Sequence, residues 1–169
     1  FLKFLTYSTI HFVNILNKLP SEYDKKIIVS THPRTRNRIN KEGITFNDSV
    51  QLLKPLGFMD YINLQKNAFI VLSDSGTISE ESSILQFPAL NLREAHERPE
   101  AMEEASVIMT GLNYTRVLQG IDLLIKQANS NDSVINLVND YSMPNVSEKV
   151  VRIILSYIDY INRKICPKQ

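Results

Sequence analysis

The segment with the most chemical content is residues 69–83, FIVLSDSGTISEESS, in which an apolar run passes into Ser-Asp-Ser-Gly-Thr and then into a helix-forming stretch. In an open α/β sheet, ligands gather at the carboxyl ends of strands, beside helix N-termini. The first turn of a helix presents N–H groups without intrahelical partners and a partial positive charge, so it can hold a phosphate without a basic side chain. Gly76 lets the backbone approach an anion closely, and Ser75 and Thr77 add hydroxyl donors. A second reading makes Thr77 and Glu80 a Thr-x-x-Glu capping box that merely starts the helix, and local spacing leaves the two open. Glu80 and Glu81 follow on the same helix. A carboxylate there, pointing back across the strand ends, could accept from ribose hydroxyls, although surface glutamates are generally solvated. The segment is not a Walker loop and lacks the GxGxxG of dinucleotide-binding folds.

Two further clusters carry groups suited to anions. Residues 30–38, STHPRTRNR, set His32, Arg34, Arg36 and Arg38 beyond another strand candidate. Arginine forks match phosphate, and histidine can give a hydrogen bond or a proton to a phosphate oxygen. His32 and Arg34, nearest the strand, are the better candidates for ligand contact, and Arg36 and Arg38 read as a solvated helix face. Residues 93–100, REAHERPE, form a dense charged loop whose Pro99 marks a helix start; it reads either as a solvated connection or as part of a site.

These clusters need a scaffold that brings strand ends together. Short β-branched or apolar runs at 26–30, 50–53, 68–72, 89–92 and 107–110 alternate with helical spacing at 1–19, 33–41, 59–66, 77–87, 99–105 and 113–128. The first helix is expected to stop before Pro20 and the fourth before Pro88. Such alternation predicts an α/β fold, a Rossmann-like parallel sheet with helices on both faces. The three charged or hydroxylated segments should therefore open on one edge of the sheet. After a polar stretch, a short apolar piece at 134–138 and a loop, residues 147–165 predict a long helix with one apolar stripe, capped by Ser147 or Asn145.

Two spaced motifs, Asp74-Ser75-Gly76-Thr77-Ile78-Ser79-Glu80-Glu81 and Arg93-Glu94-Ala95-His96-Glu97-Arg98-Pro99-Glu100, resemble those of the non-hydrolysing UDP-N-acetylglucosamine 2-epimerases. The resemblance covers residues 27–124. It implies the C-terminal half of a glycosyltransferase-B-like enzyme of two Rossmann-like domains, with a UDP-sugar in the cleft. Ser75 and Gly76 would then hold the diphosphate, Glu81 the ribose, and Tyr61 would lie near uracil or ribose. His32 and Arg98 would face the diphosphate and sugar, with His32 the one catalytic candidate within the chain. Thr77 stands where the family has a second glycine, and either adds a hydroxyl contact or narrows the approach to phosphate.

The implied reaction inverts C2 by anti elimination of UDP and re-addition, without a cofactor, and the family's main catalytic carboxylates lie in the N-terminal half. The segment Asn145-Val146-Ser147-Glu148-Lys149-Val150-Val151-Arg152-Ile153 resembles a subclass that acts on 6-deoxy sugars toward UDP-N-acetyl-L-fucosamine. The implied organisation is a UDP-binding domain over residues 1–145 and a helix over 146–169 that can pack toward the N-terminal half. A homodimer and, in many bacterial members, allosteric activation by the substrate belong to the same picture. Competing classes are a nucleotide-sugar glycosyltransferase, a hydrolysing epimerase and a non-catalytic nucleotide-binding domain.

Composition agrees with a globular domain. The 169 residues carry 19 basic and 18 acidic groups, so no charge excess argues for nucleic acid or an anionic membrane. One cysteine, Cys166, can form no internal disulfide and no multi-cysteine metal site, which fits a reducing, cytoplasmic setting. No apolar run approaches the roughly 20 residues of a membrane-spanning helix. The opening at Phe1, directly in helical spacing, suggests a fragment.

Overall fold

A computed structural model describes residues 2–95, 98–130 and 137–165. Helix α1 (Leu2–Tyr23) leads into strand β1 (Ile27–Ser30), helix α2 (Pro33–Lys41) and strand β2 (Val50–Leu53). Helix α3 (Phe58–Asn67), strand β3 (Val71–Ser73) and helix α4 (Ile78–Leu85) follow. Then come strand β4 (Ala89–Asn91), helix α5 (Pro99–Glu103), strand β5 (Ile108–Met109) and helix α6 (Tyr114–Ala128). A single 3-10 turn (Asn139–Ser142) precedes helix α7 (Val146–Lys164). His96, Glu97, residues 131–136 and Cys166 lie outside the described residues.

Every strand pairing is parallel, as the alternation of strands and helices requires. The pairings fall into two ladders among the described residues: β1–β2, and β3–β4–β5 in that order. The expected strand at 68–72 starts later, because α3 runs on through Asn67, whose side-chain amide caps back onto the Asn63 carbonyl at 2.8 Å. Ala68 closes that helix instead of opening a strand.

The side-chain alternation of a strand assigns each sheet residue to a face. Leu72, Leu90 and Ile108 pack with Ile15 and Leu19 of α1 and with Val117, Ile121 and Leu124 of α6. Their chain neighbours Val71, Ala89 and Val107 pack on the other face, with Ile78 and Leu85 of α4 and with Phe87. Helices thus cover both faces, and Ile27 of β1 joins the first cluster, so the two ladders share a core. Gly120 of α6 lies against β4; a Cβ there would meet Leu90 Cδ2 at 2.9 Å.

Two helix ends differ from expectation for physical reasons. Helix α1 continues through Pro20 for another turn. That turn is held from outside, by the Tyr23 hydroxyl donating to Asp122 at 2.9 Å and the Tyr114 hydroxyl donating to Glu22 at 3.0 Å. Helix α4 stops at Gln86, which takes a left-handed φ of 57° and turns Phe87 into the core at 2% exposure. Helix α7 forms as expected, one residue earlier, with Asn145 at its N-cap making no side-chain capping bond. Its apolar residues, among them Val150, Ile154, Tyr157 and Ile161, are exposed, and none of its described residues is buried.

Candidate nucleotide site

The site is built where β3 ends. Ser73 Oγ accepts from the Ser75 N–H at 3.1 Å, which folds the Ser-Asp-Ser-Gly turn tightly onto the strand end. Thr77 takes the N-cap position of α4, with φ −91° and ψ −1°, and its hydroxyl makes no capping bond to the helix. The capping-box reading is therefore not realised: Thr77 Oγ1 donates to Glu81 Oε1 at 2.6 Å, and Glu80 turns the other way.

Proton counting orders the cluster. Ser75 Oγ and Thr77 Oγ1 are 2.9 Å apart, and the Thr77 proton is committed to Glu81, so Ser75 must be the donor of that pair. A relay runs from Ser75 through Thr77 to the Glu81 carboxylate. The second Glu81 oxygen accepts from Gln65 Nε2 at 2.5 Å. Tyr61 lies one turn before Gln65 on α3; burial first, then the charges of Glu81 and Asp74, raise its hydroxyl pKa above the ordinary tyrosine value. Helix α3 thus faces the start of α4. The first turn of α4 contains only acidic charges, Glu80 and Glu81, so any anion there is held by backbone N–H groups and hydroxyls.

Arg98 closes the other side. Its Nε donates to Glu80 Oε1 at 2.7 Å, and this contact holds the guanidinium more firmly protonated than a free arginine. The residue after next, Glu100, accepts from the Tyr141 hydroxyl at 3.1 Å, which ties α5 to the 3-10 turn. Ser83 Oγ of α4 accepts from the Val138 N–H at 2.8 Å and anchors the same turn to the site helix.

Sequence-expected residues thus divide. Tyr61, Ser75, Thr77, Glu81 and Arg98 meet around the N-terminal end of α4, with Gly76 inside the turn. His32 and Arg34 are exposed at the end of β1, in the other ladder, and no hydrogen bond or ion pair joins them to the α4 cluster among the described residues. His32 Nδ1 accepts from the Arg34 N–H at 3.3 Å, so the imidazole caps α2 and leaves Nε2 outward. Arg36 is not a solvated residue: it donates to Thr31 Oγ1 and to the Leu52 carbonyl, both at 3.2 Å, and clasps the ends of β1 and β2. Its spacing from Thr31 brings it back over the strand one helical turn after the cap. Arg38 does face solvent, paired with Glu42 at 2.8 Å. Gln65 and Tyr141 lie outside the motifs that mark the site in the sequence. The signal for Gln65 was its position four after Tyr61, on the same face of α3.

An open cavity of about 260 Å³ lies at the carboxyl ends of β4 and β5, lined by Arg93, Glu94, Met109, Thr110, Gly111, Leu112 and Asn113. Ser73, Asn91 and Met109 are in register across the sheet, so this cavity and the Ser75 turn share one edge. The backbone N–H groups and hydroxyls suited to an anion are those of the Ser75 turn rather than of the cavity.

A protein-family model described as UDP-N-acetylglucosamine 2-epimerase matches residues 6–155. The chain belongs to the UDP-N-acetylglucosamine 2-epimerase family. A curated epimerase from Methanocaldococcus jannaschii is 32% identical over 142 residues, covering 82% of this chain and 37% of the relative. The solved UDP-N-acetylglucosamine 2-epimerase from Rickettsia bellii superposes with a TM-score of 0.75 at 44% identity, over 94% of this chain and 43% of that one. The M. jannaschii epimerase solved in complex with UDP-GlcNAc and UDP gives a TM-score of 0.69 at 27% identity, over 88% and 41%. The chain therefore spans about two fifths of the length of these epimerases. Among the described residues, no helix is long and apolar enough to cross a membrane.

Proposed function

We propose that this chain is the UDP-binding part of a non-hydrolysing UDP-N-acetylglucosamine 2-epimerase. The observation that carries the reading is the α4 N-terminus at the end of β3, fronted by the Ser75–Thr77–Glu81 relay, in a chain of this family. The Gly76 N–H and the first-turn N–H groups of α4 receive the diphosphate, joined by the Ser75 hydroxyl as its proton turns from Thr77 to a phosphate oxygen; Glu81 receives the ribose, and Tyr61 covers the uracil or ribose. Arg98, already directed to this corner by Glu80, faces the diphosphate and sugar, with His32 and Arg34 supplied from the β1 end.

In the reaction, the C2 proton leaves to a base while the C1–O bond breaks, and UDP departs with the bonding electrons. Re-addition of UDP to the resulting 2-acetamidoglycal, with protonation at C2 from the other face, gives the 2-epimer. The α4 terminus, Ser75 and Arg98 act on the leaving group, where negative charge grows as the C1–O bond breaks. The base that takes the C2 proton lies in the part of the enzyme beyond this chain. The apolar stripe of α7 packs against that part, and the whole enzyme works as a cytoplasmic homodimer.

The test is product analysis of the full-length enzyme on UDP-N-acetylglucosamine, with the 169-residue chain alongside. The expected outcome is UDP-N-acetylmannosamine from the former and none from the latter, which still binds UDP. Release of free N-acetylmannosamine with UDP, or transfer of the sugar to an acceptor, would overturn the reading.

A further inference from the structure

We propose that Gln65 is a positioning residue for the nucleotide site: its amide holds the Glu81 carboxylate in the orientation that receives the ribose hydroxyls. The proposal rests on the nucleotide reading above. Gln65 is 4% exposed on α3, and its Nε2 donates to Glu81 Oε2 at 2.5 Å while Thr77 Oγ1 donates to Glu81 Oε1 at 2.6 Å. Each carboxylate oxygen accepts in two directions, so each keeps one for a ligand, and two adjacent oxygens match the two vicinal hydroxyls of a ribose. The last torsion of a glutamate is broad and two-fold, so a carboxylate held at one oxygen alone can turn; held at both it cannot.

The orientation of the amide follows from its partner. Turned over, the Gln65 carbonyl would face a carboxylate oxygen, acceptor against acceptor. Nε2 must therefore point at Glu81, and this leaves Gln65 Oε1 buried with no hydrogen-bond partner. Burial of an unsatisfied acceptor is unfavourable. A methionine or leucine of similar size would fill the same place without stranding it, so packing does not account for a glutamine here. What the glutamine adds is the one bond to Glu81.

The test is titration calorimetry of the 169-residue chain with UDP and with 2′-deoxy-UDP, beside thermal unfolding of each variant. Wild type should bind UDP about tenfold more tightly than 2′-deoxy-UDP, the difference of one charge-assisted hydrogen bond. Gln65→Met should weaken UDP about tenfold, leave 2′-deoxy-UDP within about twofold, and leave the melting temperature unchanged or higher. Gln65→Glu should lose the preference at about pH 8, where two carboxylates repel, and regain it near about pH 5.5, where a shared proton restores a donor. Tyr61 and Asp74 share this corner with Glu81, and the Glu80–Arg98 pair lies at the same helix end, so that profile is read against the wild-type profile over the same range. If the methionine variant fails to fold, the glutamate profile decides alone. A Gln65→Met chain that keeps the wild-type preference overturns the proposal. So does one that weakens both ligands equally as its melting temperature falls. Wild type that binds no UDP removes the nucleotide reading itself; wild type that binds UDP but ignores the 2′-hydroxyl removes only the Glu81 assignment and with it the role of Gln65.

Discussion

Ser75 donates to Thr77 and Thr77 donates to the Glu81 carboxylate, so the middle member can be removed without touching either end. Thr77→Val keeps the shape at an exposed position and takes away the hydroxyl that passes from Ser75 to Glu81. Calorimetry should show UDP binding several-fold weaker, about 1 kcal/mol, with the melting temperature little changed. The tyrosines set a pH limit. Burial is the largest cause of the raised hydroxyl pKa at Tyr23, Tyr61 and Tyr141, followed by nearby carboxylates. Each is protonated in both states below about pH 10; above it the unfolded chain loses a proton that the folded chain keeps, so stability falls as pH rises further. Urea midpoints should drop as pH rises above about 10, and Tyr23→Phe should flatten the decline.

The helix-sheet contact at Gly120 leaves no room for a side chain. Alanine would favour the helix by about 1 kcal/mol, but its Cβ would lie 2.9 Å from a Leu90 that is 0% exposed, and overpacking costs about 1–3 kcal/mol. Gly120→Ala should therefore lower the melting temperature, and Gly120→Val should lower it much further. The order of elements was legible because each strand is a compact apolar run and each helix shows its spacing. Their ends were less so. Pro20 is a valid local stop signal, yet hydrogen bonds to residues about a hundred positions away carry α1 past it. Gln86 gives no glycine-like cue for the left-handed turn that ends α4. Arg36 reads as solvated and Gln65 belongs to no motif, and only the packing of α2 over the strand ends and of α3 against α4 draws them inward.

At the scale of the molecule, α7 presents an apolar stripe that no described element covers. A helix with an unburied apolar stripe needs a cover, and a chain presenting it alone should associate. Gel filtration of the 169-residue chain at rising concentration should show species larger than 19.4 kDa, and Val150→Glu with Ile154→Glu should restore a monomer. If the double variant associates as strongly as wild type, α7 is not the surface involved.

Fold class, family and the hydroxyl-glycine turn at the head of α4 are legible along the chain, because these depend on local spacing and on motifs. The motifs and the resemblance they carry also mark Tyr61, Ser75, Thr77, Glu81 and Arg98, residues that the fold gathers. How their polar groups are shared is settled by packing alone. Thr77 serves Glu81 rather than the helix cap, Glu80 takes Arg98, and Gln65 supplies the donor beneath the site. Such choices turn on which acceptor lies within about 3 Å of which donor, a distance set by the packing of α3, α4 and the loop before α5 and not by any interval along the chain.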